Sequence, residues 1–229
     1  LDFIQEGFIQ ALKLIVHFDP QTLSAILVTI KTSCISILIA LIIGLPLGFI
    51  LGYFDFFMKR FLKLIVDTFL AMPTVVIGLV LYALISYRGP FGEYGLLYTI
   101  PGIIIGQSVL ALPIIISLSS TAVENMDKKL SLTLQSFGLS KMQMIKSTLF
   151  ELRYALLASV VVAYSRVISE IGIGMMIGGN IKWHTRTMTT AISLETSKGE
   201  FALAIALGII LIAIALCVNV FLQFLRKKG

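Results

Sequence analysis

The sequence predicts an all-α membrane protein with about five transmembrane helices and an amphipathic helix at its N-terminus. Two observations lead there. Hydrophobic residues make up 58% of the 229-residue chain and charged residues only 13%, where a soluble domain carries about 25% charged residues. The mean hydropathy is +0.99, so there is too little polar surface to clothe a water-soluble globule, and lipid must be the solvent. The second observation is that the apolar residues gather into stretches near the roughly 20 residues that cross a hydrocarbon core.

Those stretches are 22–53, 61–87, 98–121, 152–176 and 201–225. Residues 1–18 differ from them. Phe3, Ile4, Gly7, Phe8, Ala11, Leu12 and Ile15 recur at helical spacing, with Asp2, Gln5, Glu6, Gln10 and Lys13 between them, which predicts a helix lying on the membrane surface. Its charges also argue against a cleaved signal peptide. Asp19 and Pro20 then supply an N-cap and a first-turn proline for the first span. Within that span Ser36, Ala40, Gly44, Gly48 and Gly52 form a ridge of small residues against which another helix can pack closely. Pro46, Pro73 and Pro113 fall inside spans and predict kinks.

The formal net charge is +6, but the basic residues sit between apolar runs and not on one face of a soluble module, so nucleic acid is not the expected partner. Their distribution sets topology instead. Lys59, Arg60, Lys63, Lys128, Lys129, Lys141, Lys146, Arg153, Arg226, Lys227 and Lys228 fall on one side, against Lys13, Arg88, Lys182, Arg186 and Lys198 on the other. The positive-inside rule then places the N-terminus outside and the C-terminus in the cytoplasm. Cys34 and Cys217 are expected as buried small hydrophobes. His17 and His184 are far apart with no cysteine near, so no metal site is expected. No nucleophile–base pair can be read from the chain, which argues against an enzyme. No GxxxxGK[ST] motif occurs, so any ATP that drives the protein must be bound by another polypeptide.

The longest cytoplasmic segment, 122–151, is not linker-like. Leu130, Leu132, Leu134, Phe137, Met142, Ile145 and Leu149 are spread among polar residues, Gly138 interrupts them, and Ser140 is placed to cap a helix. Two short amphipathic helices meeting at a glycine are expected, either gripping a partner or resting on headgroups. The run from Leu132 through Thr133, Leu134, Phe137, Gly138, Leu139 and Ser140 to Lys141 resembles the cytoplasmic coupling motif of bacterial ABC importer permeases. Leu132, Thr133 and Leu134 stand where that motif has Glu-Ala-Ala, and Glu151 stands where a proline is common. The stretch Arg166–Phe201, with Gly178, Gly179, Asn180 and the threonines around Arg186, resembles the tungstate-type branch of the molybdate, tungstate and sulfate permeases. So do Asp67–Gly78 and the start of the first span from Asp19 to Lys31.

The resemblance implies a type I ABC importer permease fold in the inner membrane, working as a homodimer. It implies a cytoplasmic ABC ATPase dimer that carries ATP-Mg and docks at 132–141, an extracytoplasmic oxyanion-binding protein, and no cofactor on this chain. Tungstate is the implied substrate, with molybdate or sulfate as alternatives. An ion-coupled secondary anion carrier is the rival from another class, with Arg166 and Glu170 as its relay; the lack of an inverted repeat weighs against it.

Ionisable groups inside spans are costly and mark function by default. Arg166 and Glu170, four residues apart in the fourth span, are expected on one helix face, as a structural ion pair or a gate. Lys31 is expected to snorkel to the outer interface or to line the pore. Asp67 is expected to pair locally with Lys63. In the external segment 177–200, Asn180, Lys182, His184, Arg186, Thr189 and Thr190 offer donors that suit an oxyanion, which only accepts, or the acidic edge of a binding protein.

Overall fold

The computed structural model describes residues 2–17, 19–126 and 139–227, and among them it contains ten α-helices and no strand. The helices are α1 (Asp2–Val16), α2 (Pro20–Tyr53), α3 (Lys59–Ala71), α4 (Thr74–Ile85), α5 (Ile100–Glu124), α6 (Lys141–Glu151), α7 (Arg153–Ile168), α8 (Gly172–Met176), α9 (Met188–Lys198) and α10 (Phe201–Lys227).

The core is the pair α2 and α5. Asp19 caps α2 as expected, its carboxylate accepting from the Thr22 amide and hydroxyl at 2.7 Å each. The small-residue ridge then lets α5 approach. A Cβ on Gly48 would stand 2.8 Å from the Ile116 carbonyl oxygen, and one on Gly52 2.6 Å from that of Ser120. Higher in the seam the Ser36 hydroxyl, which donates to the Thr32 carbonyl one turn back at 2.6 Å, also lies 3.1 Å from the Ile104 carbonyl and 3.2 Å from the Gln107 side-chain oxygen. Positions 36, 44, 48 and 52 thus meet 104–107, 115, 116–119 and 120 in the same order, so the two helices run parallel, as alternate spans must. Ile37, Ala40, Ala111, Ile115, Ala163 and Val167 close the core where α7 joins them. Pro46 and Pro113 lie within continuous helices.

The amphipathic N-terminal helix forms as expected, and it packs on α10. Gly7 and Ala11 form its contact stripe, Ala11 being 2% exposed, and a Cβ on Gly7 would stand 2.5 Å from Ile205. The larger apolar residues Phe8, Leu12 and Ile15, which gave α1 its surface-helix pattern, point away from the chain. Cys34 and Cys217 are exposed and not buried.

The second and fourth spans are interrupted. At Met72–Pro73 the backbone turns extended and α3 and α4 meet at 101°, a break and not the expected kink. Proline has no amide hydrogen for the helix ladder and drives the preceding residue out of the helical region. The fourth span stops at Ile168; α7 has 16 residues, about 24 Å at 1.5 Å per residue, too short to cross alone. After Ser169–Ile171 the five-residue α8 continues. Among the described residues three helices are therefore long and apolar enough to cross unaided, α2, α5 and α10, and the bent α3–α4 pair has the length and apolar character of a fourth when its two halves are taken together.

Of the coupling residues, Leu132, Thr133, Phe137 and Gly138 lie outside the described residues. Leu139 and Ser140 lead into α6, which Lys141 opens. Ser140 caps it in a reciprocal capping box with Gln143, the geometry that its type and position predict.

Candidate translocation site

The two interruptions meet. Gly78 on α4 faces Met176 and Gly172, and Gly172 faces Val75; Ile173 and Ile177 pack on Gly106 of α5. Glu170 sits in this junction, 5% exposed. Its Oε1 accepts the Ile173 amide at 3.2 Å, and its carbonyl accepts the Thr189 hydroxyl at 2.9 Å. A buried carboxylate needs such donors to stay in place. The expected Arg166–Glu170 pair does not form. The helix ends between them, so the four-residue spacing no longer puts both on one face. Arg166 lies exposed on the last turn of α7, and no ion pair to it occurs among the described residues.

The segment 177–200 is not wholly an external loop. Its tip, residues 181–184, is exposed, but Thr185 and 187–191 are buried. The Met188 amide donates to the Thr29 hydroxyl, 2.8 Å away on α2, so the chain dips back into the bundle before α9. Each polar side chain there has a local partner. Arg186 donates to the Asn180 side-chain oxygen at 3.1 Å and its carbonyl at 3.4 Å, and Asn180 Nδ2 donates to the Thr190 carbonyl at 3.3 Å. Thr187 and Thr190 form a capping box that starts α9. Thr185 donates to the Gly178 carbonyl. Arg186 also borders a small cavity of about 50 Å³ that Asp19 and Glu195 line as well. The structure thus joins Glu170, Asn180, Arg186, Thr189 and Thr190 into one hydrogen-bonded body, and it keeps Lys31 and Arg166 out of that body.

Lys31 is exposed and lines a groove of about 660 Å³ with Leu23, Leu27, Ile100, Trp183 and His184. Trp183 is the feature that sequence reasoning missed here. It is 56% exposed and left-handed, with φ 68°, a conformation that bulky residues adopt only when their surroundings impose it. The Ile181 carbonyl imposes it by accepting the amides of His184, Thr185 and Arg186 at 3.0–3.1 Å. The Lys182 ammonium lies 5.4 Å from the indole centre.

At the opposite end Lys63 does not pair with Asp67. It pairs with Glu124, which also receives Lys59 at 3.2 Å, while Asp67 accepts the Ser117 hydroxyl at 3.1 Å. The i, i+4, i+8 spacing of Lys59, Lys63 and Asp67 was the available signal: it marks one polar stripe on an otherwise apolar helix.

Interrupted spans packed at a buried carboxylate, with a cation exposed beside them, are features that membrane transport proteins use. Residues 44–228 match the family described as the binding-protein-dependent transport system inner membrane component, and the chain belongs to that family. It is 56% identical over 227 residues to the tungstate uptake system permease protein TupB of Campylobacter jejuni, covering 99% of this chain and 95% of the relative. The TupB protein of Peptoclostridium acidaminophilum is 36% identical across the full length of both. The sulfate transport system permease protein CysT of Salmonella typhimurium is 24% identical over 92% of this chain and 78% of its own. In fold the chain is similar to a solved structure of the MetNI methionine ABC transporter in an inward-facing conformation, with TM-score 0.73 and 16% identity over 92% of this chain and 98% of that one. The type I importer permease fold expected from the sequence is the fold observed.

Proposed function

We propose that this chain forms the membrane pathway of an ABC importer for tungstate. The observation that carries the reading is the 56% identity to a tungstate uptake permease along 99% of the chain. Sulfate permeases are more distant, at 24%, which favours tungstate over sulfate. ATP is hydrolysed by a separate cytoplasmic ATPase, and an extracytoplasmic protein delivers the anion. The N-terminus lies outside, as the lysine and arginine asymmetry supports.

The working unit is a homodimer. In support, α3 has no buried residue, and α3 and α4 expose Phe61, Leu64, Val75 and Leu79, a face continuous with the break. Arg166 opens on the water-lined space between copies, because an exposed guanidinium at membrane depth must face water or protein and not lipid. There it attracts a dianion without a fixed cage of donors, and a weak contact of that kind permits release. Asn180, Arg186, Thr189 and Thr190 act one step back, holding the wall against which the anion passes.

Proteoliposomes holding the permease, its ATPase and loaded binding protein test the reading. Tungstate uptake should need both ATP and the binding protein, with sulfate failing to compete. Uptake that ignores ATP and follows an imposed proton gradient would sink it.

A further inference from the structure

The polar stripe of α3 is a cluster of charges, among the described residues, that the pathway does not use. Lys59, Lys63 and Asp67 succeed one another at four-residue steps and face α5. Lys59 reaches three groups: the Gly52 carbonyl at the end of α2 at 3.4 Å, Asp55 at 3.1 Å and Glu124 at 3.2 Å. Lys63 joins Glu124 from one turn further along, and Asp67 meets Ser117 two turns back along α5. The cluster is partly shielded, with 17% of the Lys59 side chain and 30% of the Lys63 and Glu124 side chains exposed, so its Coulomb attraction is less screened than that of a surface pair.

Two circumstances give the cluster consequence. First, no residue of α3 is fully buried, and the side chains it covers best include Lys59 and Lys63, so the polar seam carries much of its attachment to α5. Second, Glu124 is the last residue of α5, three positions before the stretch 127–138 that leads to Ser140 and α6. The other end of α3 is the 101° break at Met72–Pro73. One carboxylate therefore stands between the segment expected to receive the ATPase and the inner half of the interrupted span.

We propose that Glu124 is a positioning residue for transport: its paired contact with Lys59 and Lys63 makes α3 follow the end of α5, so that a shift imposed on the cytoplasmic segment reaches the break at Pro73. Ion pairs suit that task. They hold direction along the seam, yet they can re-form one turn further on, which interlocked apolar side chains resist. This inference rests on the reading of the chain as an ABC permease whose cytoplasmic segment takes up the ATPase.

The test uses the whole complex, with loaded binding protein, in proteoliposomes, and measures tungstate uptake and ATP hydrolysis together. ATP-driven uptake by the unaltered complex establishes the underlying reading independently. With Glu124→Gln, hydrolysis should persist while the ATP consumed per tungstate imported rises about tenfold. Glu124→Asp, which keeps the carboxylate between Lys59 and Lys63, should hold the ratio near normal. An unchanged ratio in Glu124→Gln overturns the proposal. So does a proportional fall of uptake and hydrolysis, which marks a merely structural pair, and so does a Glu124→Asp complex as uncoupled as Glu124→Gln.

Discussion

Arg166 and Thr189 are both polar groups at the junction of the interrupted spans, but their surroundings give them opposite tasks. Arg166 is exposed with no ion pair among the described residues, so its charge is open to a passing anion. Arg166→Gln should lower tungstate uptake at sub-saturating loaded binding protein by about tenfold, in keeping with a lost charge-assisted contact of roughly 1.5 kcal/mol. Membrane insertion should not change, and uptake assays beside membrane immunoblots would show it; equal uptake would remove Arg166 from the pathway. Thr189 is 5% exposed and spends its hydroxyl on the Glu170 carbonyl. Thr189→Val keeps the shape and removes that bond, so it should cost about 1 kcal/mol of stability. A thermal melt of the detergent-solubilised protein would register the loss.

At the scale of the helix, small residues and one proline decide what the elements do. Gly48→Leu would push a side chain into the Ile116 carbonyl and part α2 from α5. Overpacking of this kind costs about 1–3 kcal/mol, and the yield of folded protein after mild detergent extraction should drop. Pro73→Ala restores an amide hydrogen at the 101° break and favours a straighter second span. Insertion should survive while transport falls, and unimpaired uptake would show that the break is incidental.

The same elements explain how far the sequence could be read. Cap residues announce local geometry directly, so Asp19, Ser140 and the ridge from Ser36 to Gly52 lie where their types and spacing put them. The breaks at Pro73 and at 169–171 were hidden because an apolar run reads alike whether its helix is continuous or interrupted. The Glu170 arrangement was legible only as an ion pair, since neither the end of α7 at Ile168 nor the bond from Thr189, 19 residues further on, leaves a mark in the local spacing. The docking of α1 on α10 turned on Gly7 and Ala11, whose small size carries almost no weight in an apolar periodicity.

The described residues leave one broad face unfinished. Phe61, Leu64, Val75 and Leu79 of α3 and α4 lie exposed on either side of the 101° elbow, and a pathway needs a second wall. A single cysteine introduced as Leu79→Cys, in a Cys34→Ser, Cys217→Ser background, should cross-link two copies in native membranes. The band at twice the monomer mass on a non-reducing gel would report it, whereas a monomer under oxidising conditions would mean that lipid covers this face. In the proposed homodimer the broken spans of the two copies would meet across one axis.

The left-handed tip at residues 181–184 has a practical corollary. Trp183 is the only tryptophan in the chain, and it is held at a fixed, half-open position with a lysine beside its ring. Selectively excited near-ultraviolet emission therefore arises from a single indole on the face with Lys31 and His184. Its wavelength and quenching by iodide give a label-free optical readout of what happens there, free of contributions from the rest of the chain.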